Sequence, residues 1–335
     1  MAKLLHEIEW ESPLLDSQDI QRLSPWIREA VESFSKPQHV AYAPVRLMDV
    51  TYLVASQENA CRYCYGTARA IMKISGYSER QIQDLEHEAS LADGMTRQVV
   101  EFARKLARSN PSPARKDRDA LLQAGLSKEG VSEIAANVVK ACFANRLATF
   151  LALAPDAALE RLPERWYGRV FGFLLRIKFQ PRRAPPPEHF RNEGPCAQII
   201  AEAGSTPLAV WLRTLTDGWL SSDLLPRRSK LLILAVIARQ LGSQLCEQEV
   251  KESLVQEGLS KQDSEALLAT LSVASMTPLE STLLRWTRET VWYEPRTIQN
   301  STRRLLEELG EERALEAVGS AALCNTLARL SLVRQ

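Results

Sequence analysis

The sequence predicts an all-α protein built as two tandem helical bundles that form a pseudo-symmetric pair. Three observations carry this. Apolar residues recur at spacings of three and four, and no stretch alternates convincingly as a strand does. Proline, serine, threonine and glycine stand where helices begin and stop. The 182 residues that separate Cys64 from Cys246 also carry Pro25 to Pro207, Pro44 to Pro226, Arg46 to Arg228, Gly76 to Gly258, Pro113 to Pro295 and Cys142 to Cys324. One offset shared by prolines, a glycine and cysteines marks an internal repeat. The expected units are an N-terminal domain over 1–155, a linker helix and Pro-rich linker over 156–197, and a degenerate C-terminal domain over 198–335.

Taken in order, Ser24-Pro25 and Thr206-Pro207 each read as an N-cap followed by proline at the first helical position. A helical pattern runs from Pro44 to Gln57, and another from about Cys61 to Ser75, stopping at Gly76. Ser78-Glu79-Arg80-Gln81 has the form of a capping box. Ser112-Pro113 opens a helix that should end at Gly125. After Ser127, the residues Val131, Ile134, Ala135, Val138 and Val139 recur as on one buried face. The apolar run Leu231 to Ala238 could pass for a buried strand, but it aligns with the Pro44–Gln57 helix and is read as a buried helix. Arg161 to Lys178 carries Trp166, Tyr167, Phe171, Phe173 and Leu174 among arginines. A basic aromatic helix of this kind either touches a membrane surface or packs its rings on a neighbouring domain, and packing is the preferred reading. The segment Pro181 to Pro187 is a stiff, extended linker.

Composition excludes several classes. Lys+Arg (42) and Asp+Glu (41) nearly cancel, so no overall field argues for nucleic acid or an acidic membrane. The first residues hold acids where a signal peptide needs an apolar core, and no apolar run is long enough to span a bilayer. A cytoplasmic location is expected. Six cysteines in 335 residues are not a disulfide framework.

Glu58 to Gly66 holds the one C-x-x-C, Cys61 and Cys64, at a helix start. Unpaired backbone N–H groups and the positive end of the helix dipole favour a thiolate there, and such thiols fall from about 8.5 to roughly 3.5–7.5. Thiol–disulfide exchange or peroxide reduction is the chemistry suggested. A metal site needs about four ligands; there is no second C-x-x-C, and His6, His39, His87 and His189 are scattered. No metal and no cofactor is expected. Cys142, Cys246 and Cys324 read as small core residues. Cys196 has no assigned role.

The stretch from Pro44 through Arg46, Asp49 and Cys61-x-x-Cys64 to Gly76-Tyr77-Ser78 resembles the AhpD and carboxymuconolactone decarboxylase superfamily. The family pattern places an acid twelve residues before the first Cys, which is Asp49 here. The resemblance implies peroxide or disulfide reduction, with Cys64 attacking and Cys61 resolving; the helix argument alone does not order them. It implies an external thiol reductant, and it makes a homo-oligomer plausible. The family's two relay histidines are replaced by Tyr63 and Ala68, and its upstream Glu by Asp49. Asp49, Glu58, Tyr63 and His87 remain as acid–base candidates, with His87 recommended only by its titration range. Tyr63 and Tyr65 are expected to line the approach. In the second copy Ser243 replaces the first Cys and Leu231 the acid, so Cys246 cannot run the same cycle. The alternative is an interaction or regulatory protein on this scaffold, an arrangement similar to sestrins. A decarboxylase is disfavoured by the Cys pair.

Overall fold

The computed structural model describes residues 10–14, 21–112, 114–164, 174, 180–270 and 275–335. Sixteen α-helices dominate the described residues: α1 Pro25–Ser33, α2 Val45–Glu58, α3 Arg62–Ile74, α4 Glu79–His87, α5 Gly94–Ala107, α6 Arg115–Gln123, α7 Lys128–Phe150, α8 Ala157–Arg161, α9 Ala197–Ile200, α10 Pro207–Ser221, α11 Arg227–Leu241, α12 Gln244–Gln256, α13 Lys261–Thr270, α14 Pro278–Thr290, α15 Pro295–Leu309 and α16 Glu311–Ser331. The all-α class is correct. Helices α1, α2, α3 and α4 start at Pro25, Val45, Arg62 and Glu79, and α10 to α13 start 182 residues later in each case.

The local signals act as their chemistry dictates. Thr206 accepts the Ala209 N–H above proline at N1 of α10. Ser78 and Gln81 complete a capping box on α4. Pro25 opens α1, but the Ser24 hydroxyl makes no cap bond. Gly76 and Gly125 follow α3 and α6 with φ of +96° and +99°, a backbone region that glycine enters without strain. Pro113 lies outside the described residues, and α6 starts at Arg115. The run Leu231 to Ala238 is helical and buried.

Two expectations need correction. Helix α7 is buried nearly all round, not on one face, because α2, α5 and α16 surround it. A two-residue parallel pairing also exists, His39–Val40 (β1) with Arg182–Arg183 (β2), where the extended linker returns along the first half. Trp166, Tyr167, Phe171 and Phe173 lie outside the described residues; Leu174 is exposed.

Packing repeats between the halves. Helix α2 contacts α3, α5 and α7, while α11 contacts α12, α14 and α16, and α7 lies against α16 at the centre. One continuous apolar core runs through both halves. Buried polar groups fasten the loops and the seam. The Glu133 carboxylate accepts the backbone N–H groups of Ala41, Tyr42 and Ala43, each at 2.8 Å, fixing the turn into α2. Fully buried Lys230 and Glu316 pair at 3.2 Å. The Tyr293 ring is flanked by Arg146 at 4.3 Å and Arg329 at 5.1 Å, one cation from each half.

Candidate functional site

The site starts at the turn between α2 and α3. Ala60 takes a φ of +48°, which turns the chain sharply and delivers Cys61 to the N-cap of α3. There the Cys61 sulfur accepts the Cys64 N–H at 3.4 Å. Ser243 occupies the same position on α12 and accepts the Cys246 N–H at 3.2 Å. Cys61 therefore does the capping work of a serine as well as carrying a thiol. All six cysteines are free thiols and all are buried.

Cys64 sits one turn into α3, with Cys61 as a hydrogen-bonded neighbour. Ala148 of α7, Tyr63 and Tyr52 pack around the pair. The Tyr52 side chain packs against the pair and favours the Cys64 thiolate. Burial and the adjacent Cys61 sulfur push the Cys64 thiol well above its ordinary value, and Tyr52 opposes them only in part. The expected depression at the helix start is therefore not found at Cys64, where loss of water is the largest influence and raises the thiol.

Cys64 lines a cavity of about 510 Å³, and Cys61 lies behind it, outside the lining. Asp49, Tyr52, Tyr63 and Lys140 reach the same cavity among mostly apolar side chains. Burial raises the Asp49 carboxyl to about 6. No hydrogen bond joins Asp49 to either sulfur among the described residues, so a proton passes between them only through a bound molecule or water. Tyr63 is held above its ordinary range by burial first, then by Cys64 and Asp156.

The remaining sequence candidates lie elsewhere. Glu58 ends α2 and faces Arg104 of α5 at 3.7 Å, away from the cavity. It follows Asp49 by nine residues, two and a half helical turns, which puts it on the other side of α2. Tyr65 points to α4, donating to Glu86 at 2.7 Å beneath Arg69, and does not line the cavity. His87 is exposed at the end of α4. Cys196 is buried, and burial raises its thiol to about 12. Among the described residues, no cluster of His, Cys, Asp and Glu has the makings of a metal site, and no helix is long and apolar enough to cross a membrane.

Sequence reasoning missed Tyr52 and Lys140. Tyr52 follows Asp49 by three residues, one turn along the same helix face, so the acid pointed to it. Lys140 carried no such signal, because it comes from a helix read only for its apolar face. Comparison of the chain with family models, with curated proteins and with solved structures gave no match.

Proposed function

We propose that the protein is a thiol-dependent oxidoreductase of the AhpD-like kind, reducing an organic peroxide or a disulfide inside the cavity. The observation that carries the reading is the asymmetry of the pair: Cys64 opens on the cavity and Cys61 backs it. Access favours Cys64 as attacker and Cys61 as resolver. With a hydroperoxide, the Cys64 sulfur bonds to the terminal oxygen and the O–O bond breaks. The alkoxide takes a proton and leaves as an alcohol, and the sulfur becomes a sulfenic acid. The Cys61 thiol condenses with it, releasing water and closing a disulfide, which an external thiol reductant reopens. Asp49, close to neutrality, accepts the Cys64 proton through the bound molecule and returns it to the alkoxide. The Tyr52 hydroxyl steadies the sulfur as charge develops.

Mass spectrometry after one equivalent of cumene hydroperoxide tests the proposal. A Cys61–Cys64 disulfide is expected, with Cys64→Ser abolishing turnover and Cys246→Ser leaving it nearly intact. Equal loss from both substitutions refutes it. Cys61→Ser keeps the cap on α3, as Ser243 does on α12, so it isolates the resolving step.

One observation favours a second reading. A thiol pushed well above its ordinary value is a poor nucleophile in the empty cavity. A binding or regulatory protein on this scaffold, in which the cavity holds a ligand without turnover, accounts for that. Ligand binding that survives Cys61→Ser/Cys64→Ser, in a protein that consumes neither peroxide nor disulfide, decides for it.

A further inference from the structure

Lys140 is a buried amine without an anion. It is 8 % exposed, and it reaches the cavity from α7. Its Nζ sits 5.0 Å from the centre of the Phe34 ring and 5.2 Å from that of Trp211. No carboxylate among the described residues lies within ion-pair distance, and burial alone lowers it to about 8. It is therefore still an ammonium at neutral pH, held by two aromatic faces and by nothing of opposite charge. The Trp211 indole N–H also lacks an acceptor, although Trp211 is not among the residues that line the cavity. A buried charge without a counter-charge is costly, so the Lys140 end of the cavity is short of an anion.

The side of the cavity along α7 beyond Lys140 is apolar and has a direction. Ala144, Leu147, Ala148 and Leu151 follow Lys140 along the same side of α7 and line it. Ala148 is the residue packed against Cys61 and Cys64. From Lys140 to Ala148 the helix rises about 12 Å, roughly the length of a nine-carbon chain. The other charged groups on the lining do not supply the missing anion. Asp156 and Lys36 are exposed at its edges, and Asp49 makes no pair with Lys140.

We propose that the cavity binds a medium-chain aliphatic carboxylate, its carboxylate on the Lys140 ammonium and its chain running along α7 toward Cys64. The inference goes beyond the redox reading, because binding needs no thiol chemistry; if that reading holds, the oxidant is an acid whose reactive group lies near the ninth carbon.

Isothermal titration at pH 7 with decanoate and decanol tests it. Wild-type protein is expected to bind decanoate at least tenfold more tightly than decanol. Lys140→Met should abolish that preference while still binding decanol, and Lys140→Arg should retain the preference. Binding is read as heat with no peroxide or disulfide present, and peroxide turnover is assayed separately, so failure of this inference and failure of the redox reading are distinguishable. Equal affinity for acid and alcohol in the wild type, no decanoate binding, or a preference that survives Lys140→Met overturns it. Should Lys140→Met fail to fold, the wild-type comparison and Lys140→Arg decide the matter.

Discussion

Lys230→Met tests how the buried charges support the fold. Lys230 on α11 and Glu316 on α16 are both fully buried and 3.2 Å apart. The Lys230 ammonium also donates to the carbonyls of Trp219 and Ser222, each at 2.5 Å. Glu316 accepts the Trp26 indole N–H at 2.9 and 3.1 Å, so the carboxylate ties α1 of the first half to the second. Methionine fills most of the lysine stem and removes only the ammonium. It leaves a buried carboxylate without its cation, a loss of about 3–5 kcal/mol. Adding Glu316→Gln removes the stranded charge while the amide oxygen still accepts from Trp26. The double variant should regain about 2 kcal/mol of that loss. Urea unfolding followed by tryptophan fluorescence measures both. A single variant that loses less than about 1 kcal/mol, or a double variant less stable than the single, refutes the argument.

Two further outcomes follow from the site. Burial holds Asp49 at about 6 against an ordinary 3.8, so the fold favours its protonated form. That contribution is complete below pH 3.8 and is lost as pH rises through about 6. At pH 7 the buried carboxylate costs on the order of 1–3 kcal/mol. Asp49→Asn should therefore be more stable than wild type at pH 7 by that order and no more stable below pH 4; a gain of equal size at both pH values contradicts this. Ala60 at φ +48° and Gly242 at φ +68° occupy equivalent turns. Ala60→Gly should gain about 0.5–1 kcal/mol and Gly242→Ala should lose about 1 kcal/mol, both read from urea midpoints.

Helix starts and stops were legible because their determinants are local. A proline at N1, a capping serine or a glycine beyond the last turn acts on its own few residues, as at Pro207, Ser78 and Gly76. The site was legible only where it is also local. Cys61, Cys64, Tyr63 and Asp49 stand on α2 and α3, and all but Cys61 reach the cavity. Adjacency misled at Glu58 and Tyr65: Tyr65 is one residue past Cys64, but a helix turns about 100° per residue and aims it at α4. The thiol was misjudged for another reason. The dipole of a helix start can be read from spacing, whereas desolvation depends on what covers the sulfur, and that cover includes Ala148 from a distant helix. Lys140 and its two rings come from three separate helices or helix ends and have no common signature in the chain.

Trp211 belongs to α10, in the half that lacks a thiol pair, yet its ring packs against Lys140, which lines the cavity that Cys64 opens on. The second half thus braces from behind a residue of a chamber whose lining comes from residues 13–181. Because both halves are one polypeptide, this brace is in place at any protein concentration. A brace supplied by a separate chain would be lost on dilution, at the cost of affinity. Here it is tethered, and ligand affinity per chain should be the same at nanomolar and micromolar protein.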